Sequence, residues 1–271
     1  MNHGSAIAER LGGPGSVCIL GGSFNPMHAG HVRVAVALHE TASMERVDII
    51  PAASPPHKPR LRLLPMAVRM AMAEAAAARL NRSAPAGLSP FRVSDLEARR
   101  EGPSYSVDTL RHYRSAEPNA RVFFSLGATD MVALDSWHEW RRLPELATFV
   151  ITTRGETSVE DVLAFMASNP DVFPNAAAQT RRLAAGFGGE VPGGEPEYAH
   201  IRWHGGGTRG WAAFITMPRL DVSGTQIRAL WRAERSLLGL VPECVEDVLA
   251  EREQDVAAVW GARSGTTLKI A

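Results

Sequence analysis

An α/β fold, with a central parallel sheet and helices on both faces, is predicted from two observations. Short apolar runs alternate along the chain with segments of helical periodicity, which is the pattern of a parallel sheet covered on both sides. The first apolar run, Val17-Cys18-Ile19-Leu20, passes through Gly21-Gly22-Ser23-Phe24-Asn25-Pro26-Met27-His28-Ala29-Gly30-His31 into a helical run, Val32 to Leu38. Strand, glycine turn and helix in that order build a phosphate site, because glycines let backbone approach an anion and the helix start presents free N–H groups.

The elements follow in order. A first strand spans 17–20 and a first helix roughly 30–41; a second strand, Val47-Asp48-Ile49-Ile50, ends at Pro51. Prolines fix the next loop, Ser54-Pro55-Pro56-His57-Lys58-Pro59, and exclude it from a central strand. A helix over 65–80 buries Met66, Met70, Ala73, Ala77 and Leu80, with Arg69, Glu74 and Arg79 off that stripe. Phe91-Arg92-Val93 is a short strand, 107–113 a helix, Val122 to Leu126 an apolar strand ending at Gly127, 129–134 a helix and Thr148 to Ile151 a strand. Between 155 and 210 the pattern weakens to a helix over 159–167 and another near 176–185, in an otherwise irregular excursion. Ala212 to Thr216 returns to the sheet; Val222 to Arg228 opens a helix ending near Glu234, and a last helix covers 242–259. The expected layout is a loose, flexible leader over 1–16, one domain over 17–260 and a frayed tail over 261–271.

Composition excludes several classes. Lys+Arg and Asp+Glu balance at 29 each in 271 residues, so no basic field marks a nucleic-acid groove. No run reaches membrane-spanning length, and no secretory segment is seen. Cys18 and Cys244, the only cysteines, are too few for a disulfide framework and suit a reduced, cytoplasmic chain.

Two clusters carry the chemistry. His28 and His31, three residues apart near a helix start, can both donate to one phosphate, with Ser23 and neighbouring backbone N–H groups assisting. Ser223-x-Thr225-x-x-Arg228 opens a later helix: a serine or threonine caps it and the guanidinium chelates two phosphate oxygens, the alternative being a helix cap beside a surface arginine. Gly205-Gly206-Gly207-Thr208-Arg209-Gly210 lacks a strand before it and a helix after it, and reads as a flexible loop. Asp95, Glu97 and Asp108 do not make a metal cage.

Gly21 to His31, Pro55-Pro56-His57-Lys58 and Ser223-x-Thr225-x-x-Arg228 resemble a nucleotidylyltransferase. Asp95-Leu96-Glu97, Ser104 to Leu110, Gly127 with Trp137 ten residues on, and Leu240-Val241-Pro242 make the similarity one to bacterial nicotinate-nucleotide adenylyltransferases, across most of 17–250. The resemblance implies a Rossmann-like domain that transfers the adenylyl group of ATP to nicotinate mononucleotide, giving deamido-NAD and pyrophosphate. Mg²⁺ is carried by the ATP phosphates. It also implies that Gly21, Gly22, Ser23, Phe24, His28, His31, Gly127, Ser223, Thr225 and Arg228 hold ATP, with His28, His31 and Arg228 catalytic. Asn25, Lys58, Ser106, Thr129, Asp130, Trp137 and His138 fall to the acceptor: Trp137 stacks on the pyridine ring, Ser106 helps read the carboxylate, and Lys58 neutralises a phosphate or is merely solvated.

Two departures stand out. Where the family has an aspartate two residues after the glycine, this chain has Thr129 followed by Asp130, and Gly224 stands where the family often has serine. A sister transferase using nicotinamide mononucleotide or phosphopantetheine, and a nucleotide sensor with lost turnover, are the alternatives. No nucleic-acid or membrane partner is expected, and a homo-oligomer stays open.

Overall fold

The computed structural model describes residues 11–56, 63–85, 87–153, 157–182, 197–205, 208–217 and 220–263. Its strands are β1 (Gly13–Gly22), β2 (Met44–Pro51), β3 (Phe91–Val93), β4 (Arg121–Gly127), β5 (Thr148–Thr153), β6 (Ala177–Arg182), β7 (Glu197–Gly205) and β8 (Thr208–Thr216), in the sheet order β3-β2-β1-β4-β5-β8-β7-β6. The centre is parallel, as expected: Cys18 pairs with Phe123, Phe124 with Phe149, and Ile151 with Phe214. The far side is not. β7 runs antiparallel to β8, and β6 antiparallel to β7. Only two residues separate β7 from β8, and a connection that short joins antiparallel strands.

The chain divides into two compact units. The first holds Met1–Leu20, Val36–Val47 and Tyr105–Arg219. Its core is the apolar sheet centre, with Val17, Cys18, Ile19, Phe123, Phe149, Val150, Ile151, Ala212 and Ala213 buried. Its helices include α3 (Ser106–Ala116), α4 (Ala128–Met131), α5 (Leu143–Leu146) and α6 (Val159–Ala167). A capping box starts α6: the Ser158 hydroxyl accepts from the Asp161 N–H at 3.2 Å, and Asp161 Oδ2 accepts from the Ser158 N–H at 2.8 Å.

The second unit holds Gly21–Ala35, Asp48–Ser104 and Leu220–Ala271, with α1 (Ala29–Val36), α2 (Met66–Ser83), α7 (Gly224–Arg232), α8 (Glu243–Glu251) and α9 (Glu253–Trp260). α2 packs on α8, and small or apolar residues of both, Met72, Ala73 and Ala76 of α2 and Val245 and Leu249 of α8, are buried. The single C-terminal helix read from the sequence is two, broken at Arg252 where ψ swings to 27°. Trp231 of α7 meets Trp260 of α9 edge-on at 5.5 Å.

Other corrections concern the supposed leader and excursion. Residues 13–16 already belong to β1, Leu11 is buried, and the Arg121 guanidinium donates to the Leu11 and Gly12 carbonyls at 3.1 and 2.9 Å. The segment near 176–185, read as helix from its alanines, is strand β6 in its described part, with Ala178 paired to Ile201. Sheet pairing overrides alanine's helical preference there. Thr208 to Gly210 are strand, not loop. Gly210 is required in that strand, because a Cβ would sit 2.3 Å from the Trp203 indole.

Candidate active site

β1 ends at Gly21 and Gly22, and the turn after it is tightly held. A Cβ on Gly22 would lie 2.9 Å from the ring of Phe24, a fully buried residue with φ 42°. That ring meets His31 edge-on at 4.9 Å. A cis Asn25–Pro26 peptide follows. Asn25 is buried; its side-chain oxygen accepts from the Leu64 N–H at 3.1 Å, so an amide expected on the acceptor side also ties the turn to the start of α2.

The turn delivers the two imidazoles as a stack, centroids 3.6 Å apart and planes 20° from parallel. His28 lies just before α1 and His31 in its first turn. The His28 backbone N–H donates to His31 Nδ1 at 3.2 Å, so neutral His31 carries its proton on Nε2 and presents it as a donor.

Under the turn lies Arg69, placed on the solvent side by the sequence reading and in fact 2% exposed. Nε donates to the Leu64 carbonyl at 3.0 Å, and one Nη donates to the carbonyls of Ser23 at 3.1 Å and Ala52 at 2.6 Å. Burial lowers its pKa, and the neighbouring Glu97 carboxylate, itself buried, pushes back upward. Three backbone segments thus share one guanidinium. The available signal was spacing: Arg69 falls in the inward stripe with Val68, Met72, Ala73, Ala76 and Ala77.

The second cluster opens α7. The Ser223 hydroxyl caps the helix, accepting from the Gln226 N–H at 3.2 Å. Thr225 is not the cap; its hydroxyl accepts from Arg228 Nη2 at 2.9 Å, while Nη1 donates to the Asn25 carbonyl at 2.7 Å. Arg228 is therefore joined to the histidine turn, 203 residues away in sequence. Burial, then the nearby Arg232 charge, lowers its pKa. Gly224 is explained here: a Cβ would stand 2.9 Å from the Asn25 carbonyl oxygen and 3.0 Å from Arg228 Nη1. A side chain at 224 would crowd the carbonyl and the guanidinium that it bonds.

The remaining candidates lie in the first unit. Gly127 ends β4 and precedes α4, and a Cβ on it would be 3.2 Å from Asp130 Oδ2. Asp130, three residues after the glycine, thus lies with its carboxylate against Gly127. Thr129 turns elsewhere, its hydroxyl 3.2 Å from that of Thr157. Trp137 is half-buried and edge-on to Phe124 at 6.3 Å. Ser106 is the first residue of α3. His138 is exposed and stacks on Tyr105 at 4.0 Å, with Nε2 3.4 Å from Glu139. Arg111 clamps Glu139 with two bonds of 3.1 and 2.5 Å, which draws that carboxyl below its usual range. Lys58 lies outside the described residues.

Among the described residues no group of three or more His, Cys, Asp or Glu is placed to hold a metal ion. No described helix is long and apolar enough to cross a membrane.

Comparison with known proteins gives the family and the fold. A relative from Geobacter metallireducens is 34% identical over 236 residues, covering 86% of this chain and 95% of the relative. One from Geobacter sulfurreducens is 35% identical over 235 residues, with the same shares of 86% and 95%. Both are named probable nicotinate-nucleotide adenylyltransferase. The nicotinic acid mononucleotide adenylyltransferase of Plasmodium falciparum, solved with NaAD, superposes with a TM-score of 0.60 at 18% identity, over 89% of this chain and 97% of that one; the likeness shows the shared fold. The cytidylyltransferase-like family model matches residues 19–230, a span that holds both the histidine turn and the Ser223–Arg228 helix start, and the chain belongs to that family of nucleotidylyltransferases.

Proposed function

We propose that this chain transfers the adenylyl group of ATP to nicotinate mononucleotide, releasing pyrophosphate and forming deamido-NAD. The observation that carries the reading is the stacked His28–His31 pair on a turn whose carbonyl also holds Arg228. The acceptor's 5′-phosphate oxygen attacks the α-phosphorus in line; a P–O bond forms there as the bond to the β-phosphate oxygen breaks, and the electron pair leaves on pyrophosphate. Such a transition state needs fixed donors, not a protein nucleophile. His28 and His31 donate to the α- and β-phosphate oxygens, Arg228 to the outer phosphates, and the glycine turn lets backbone approach.

Trp137, Ser106 and Asp130 are assigned to the acceptor. The half-buried indole offers a planar face to the pyridine ring, and curated relatives named for the nicotinate nucleotide favour the acid over the amide. Mg²⁺ enters in this reading with the ATP phosphates, as part of the substrate. We place the enzyme in the cytoplasm, in keeping with its two free thiols.

A pyrophosphate-release assay with ATP and Mg²⁺ against nicotinate mononucleotide, nicotinamide mononucleotide and phosphopantetheine tests the reading. Nicotinate mononucleotide is the expected preferred acceptor. Losing one such donor costs about 2.7–4 kcal/mol in the barrier, so folded His28→Ala should fall on the order of 10²- to 10³-fold in kcat. Wild-type turnover in that variant, or preference for another acceptor, refutes it.

A further inference from the structure

A cavity of about 930 Å³ opens on the antiparallel side of the sheet, within the first unit, and shares no residue with the sites assigned above. β7 lines it mainly from one face, with Trp203 and its partner Gly210 on β8 adding to the wall from the other. Ile201 and Trp203 are buried on one face, where Trp203 meets Phe173 edge-on at 5.2 Å. Tyr198, His200, Arg202 and His204 take the other, since successive side chains of a strand point to opposite faces. Residues directly opposite in an antiparallel pair share a face, and Arg202 stands opposite Trp211, His204 opposite Arg209.

The cavity floor is a line of rings. Tyr198 and His200 are 5.9 Å apart and His200 meets Trp211 edge-on at 5.1 Å; behind Trp211, at 5.9 Å, stands buried Phe123, which does not line the cavity. Around it stand three guanidinium groups. Arg121 is fixed by its bonds to two carbonyls and lies 5.6 Å over the Phe123 ring; Arg202 and Arg209 are exposed. No aspartate or glutamate is among the described residues that line it.

We propose that this cavity is a second, non-catalytic binding site for a mononucleotide. Aromatic and imidazole rings accept a planar base, and guanidinium forks accept phosphate oxygens pairwise. The volume lies within the range of small-molecule sites. Single-stranded nucleic acid would ask for an extended basic track, which a chain of balanced charge does not offer.

AMP is the probe, titrated calorimetrically into the full chain and into Arg202→Ser/Arg209→Ser, two exposed positions outside the catalytic machinery. The wild type is expected to bind one more AMP per chain than the double variant, and to bind AMP at that site about tenfold or more tighter than adenosine or inorganic phosphate. The double variant should keep kcat and the urea midpoint of the wild type, so loss of this site is read independently of adenylyl transfer. His28→Ala should keep the extra equivalent. Equal AMP stoichiometry in wild type and double variant overturns the proposal, as does phosphate or adenosine binding as well as AMP. Oligo(A) binding more tightly than AMP through Arg202 and Arg209 replaces the mononucleotide with a nucleic acid and also overturns it.

Discussion

Replacing Arg69 by methionine keeps most of the side-chain volume and removes the charged fork. Three carbonyls lose their donor, those of Leu64, Ser23 and Ala52, and buried Glu97 loses the nearby positive charge. Each bond from a charged donor contributes about 1.5–3 kcal/mol net, but rearrangement and water entry recover part of three such losses. Breaking a buried charge arrangement by removing one partner costs about 3–5 kcal/mol, and we take that range for Arg69→Met. It is a large share of a domain stability of roughly 5–15 kcal/mol. The damage should also reach catalysis, because the Ser23 carbonyl is part of the turn that presents His28 and His31. A misplacement of about 1 Å can cost on the order of 10²-fold in rate. Urea unfolding gives the midpoint, and pyrophosphate release at a temperature where the variant is folded gives kcat and the KM for ATP. Arg69→Met/Glu97→Gln should recover part of the lost stability, since it also removes the buried carboxylate charge that faced the guanidinium. An unchanged urea midpoint, or a destabilised variant with wild-type kcat and KM, refutes the clamp.

Other predictions concern single positions. Gly224→Ser adds the hydroxyl common in the family, yet its Cβ would press on the Asn25 carbonyl and Arg228; a cost of about 1–3 kcal/mol and a raised KM for ATP are expected, and improved ATP use would contradict this. Cys18 is fully buried and burial raises the Cys244 thiol pKa, so at neutral pH both should react with a disulfide reagent more slowly than a free thiol, becoming fast only in denaturant. Asp161 is held below the usual carboxylate range by the Ser158 N–H and hydroxyl. A depressed pKa stabilises the fold above the unfolded value and loses that contribution as pH falls through the folded one, so amide protection at the start of α6 should weaken below about pH 4, and Asp161→Asn should abolish that dependence.

Local features were legible because neighbouring residues alone decide them. The glycine turn and both histidines lie in one stretch, and Ser223 needs only the N–H three residues ahead to act as a cap. The capping box of α6 is equally local, and that helix stands where its periodicity placed it. Errors arose where distant pairing decides. The segment at 177–182 is a strand because β7 lies beside it. Arg69 and Asn25 look like surface or ligand residues until the carbonyls and N–H they serve arrive from elsewhere in the chain.

The amino-acid order alone thus specified a parallel α/β core, a glycine turn with paired imidazoles and a capped helix with its arginine, because helix caps, glycine turns and apolar periodicity act over a few residues. Tertiary structure decided which polar groups work as scaffolding: Arg228 reaches the Asn25 carbonyl across 203 positions, and Gly224 matters only because those two atoms come close. It also decided the cationic, ring-floored cavity, since side chains from β4, β7 and β8 share a face only once strand register is set. Buried polar groups must find partners wherever the folded backbone puts them, and no window of sequence contains that position.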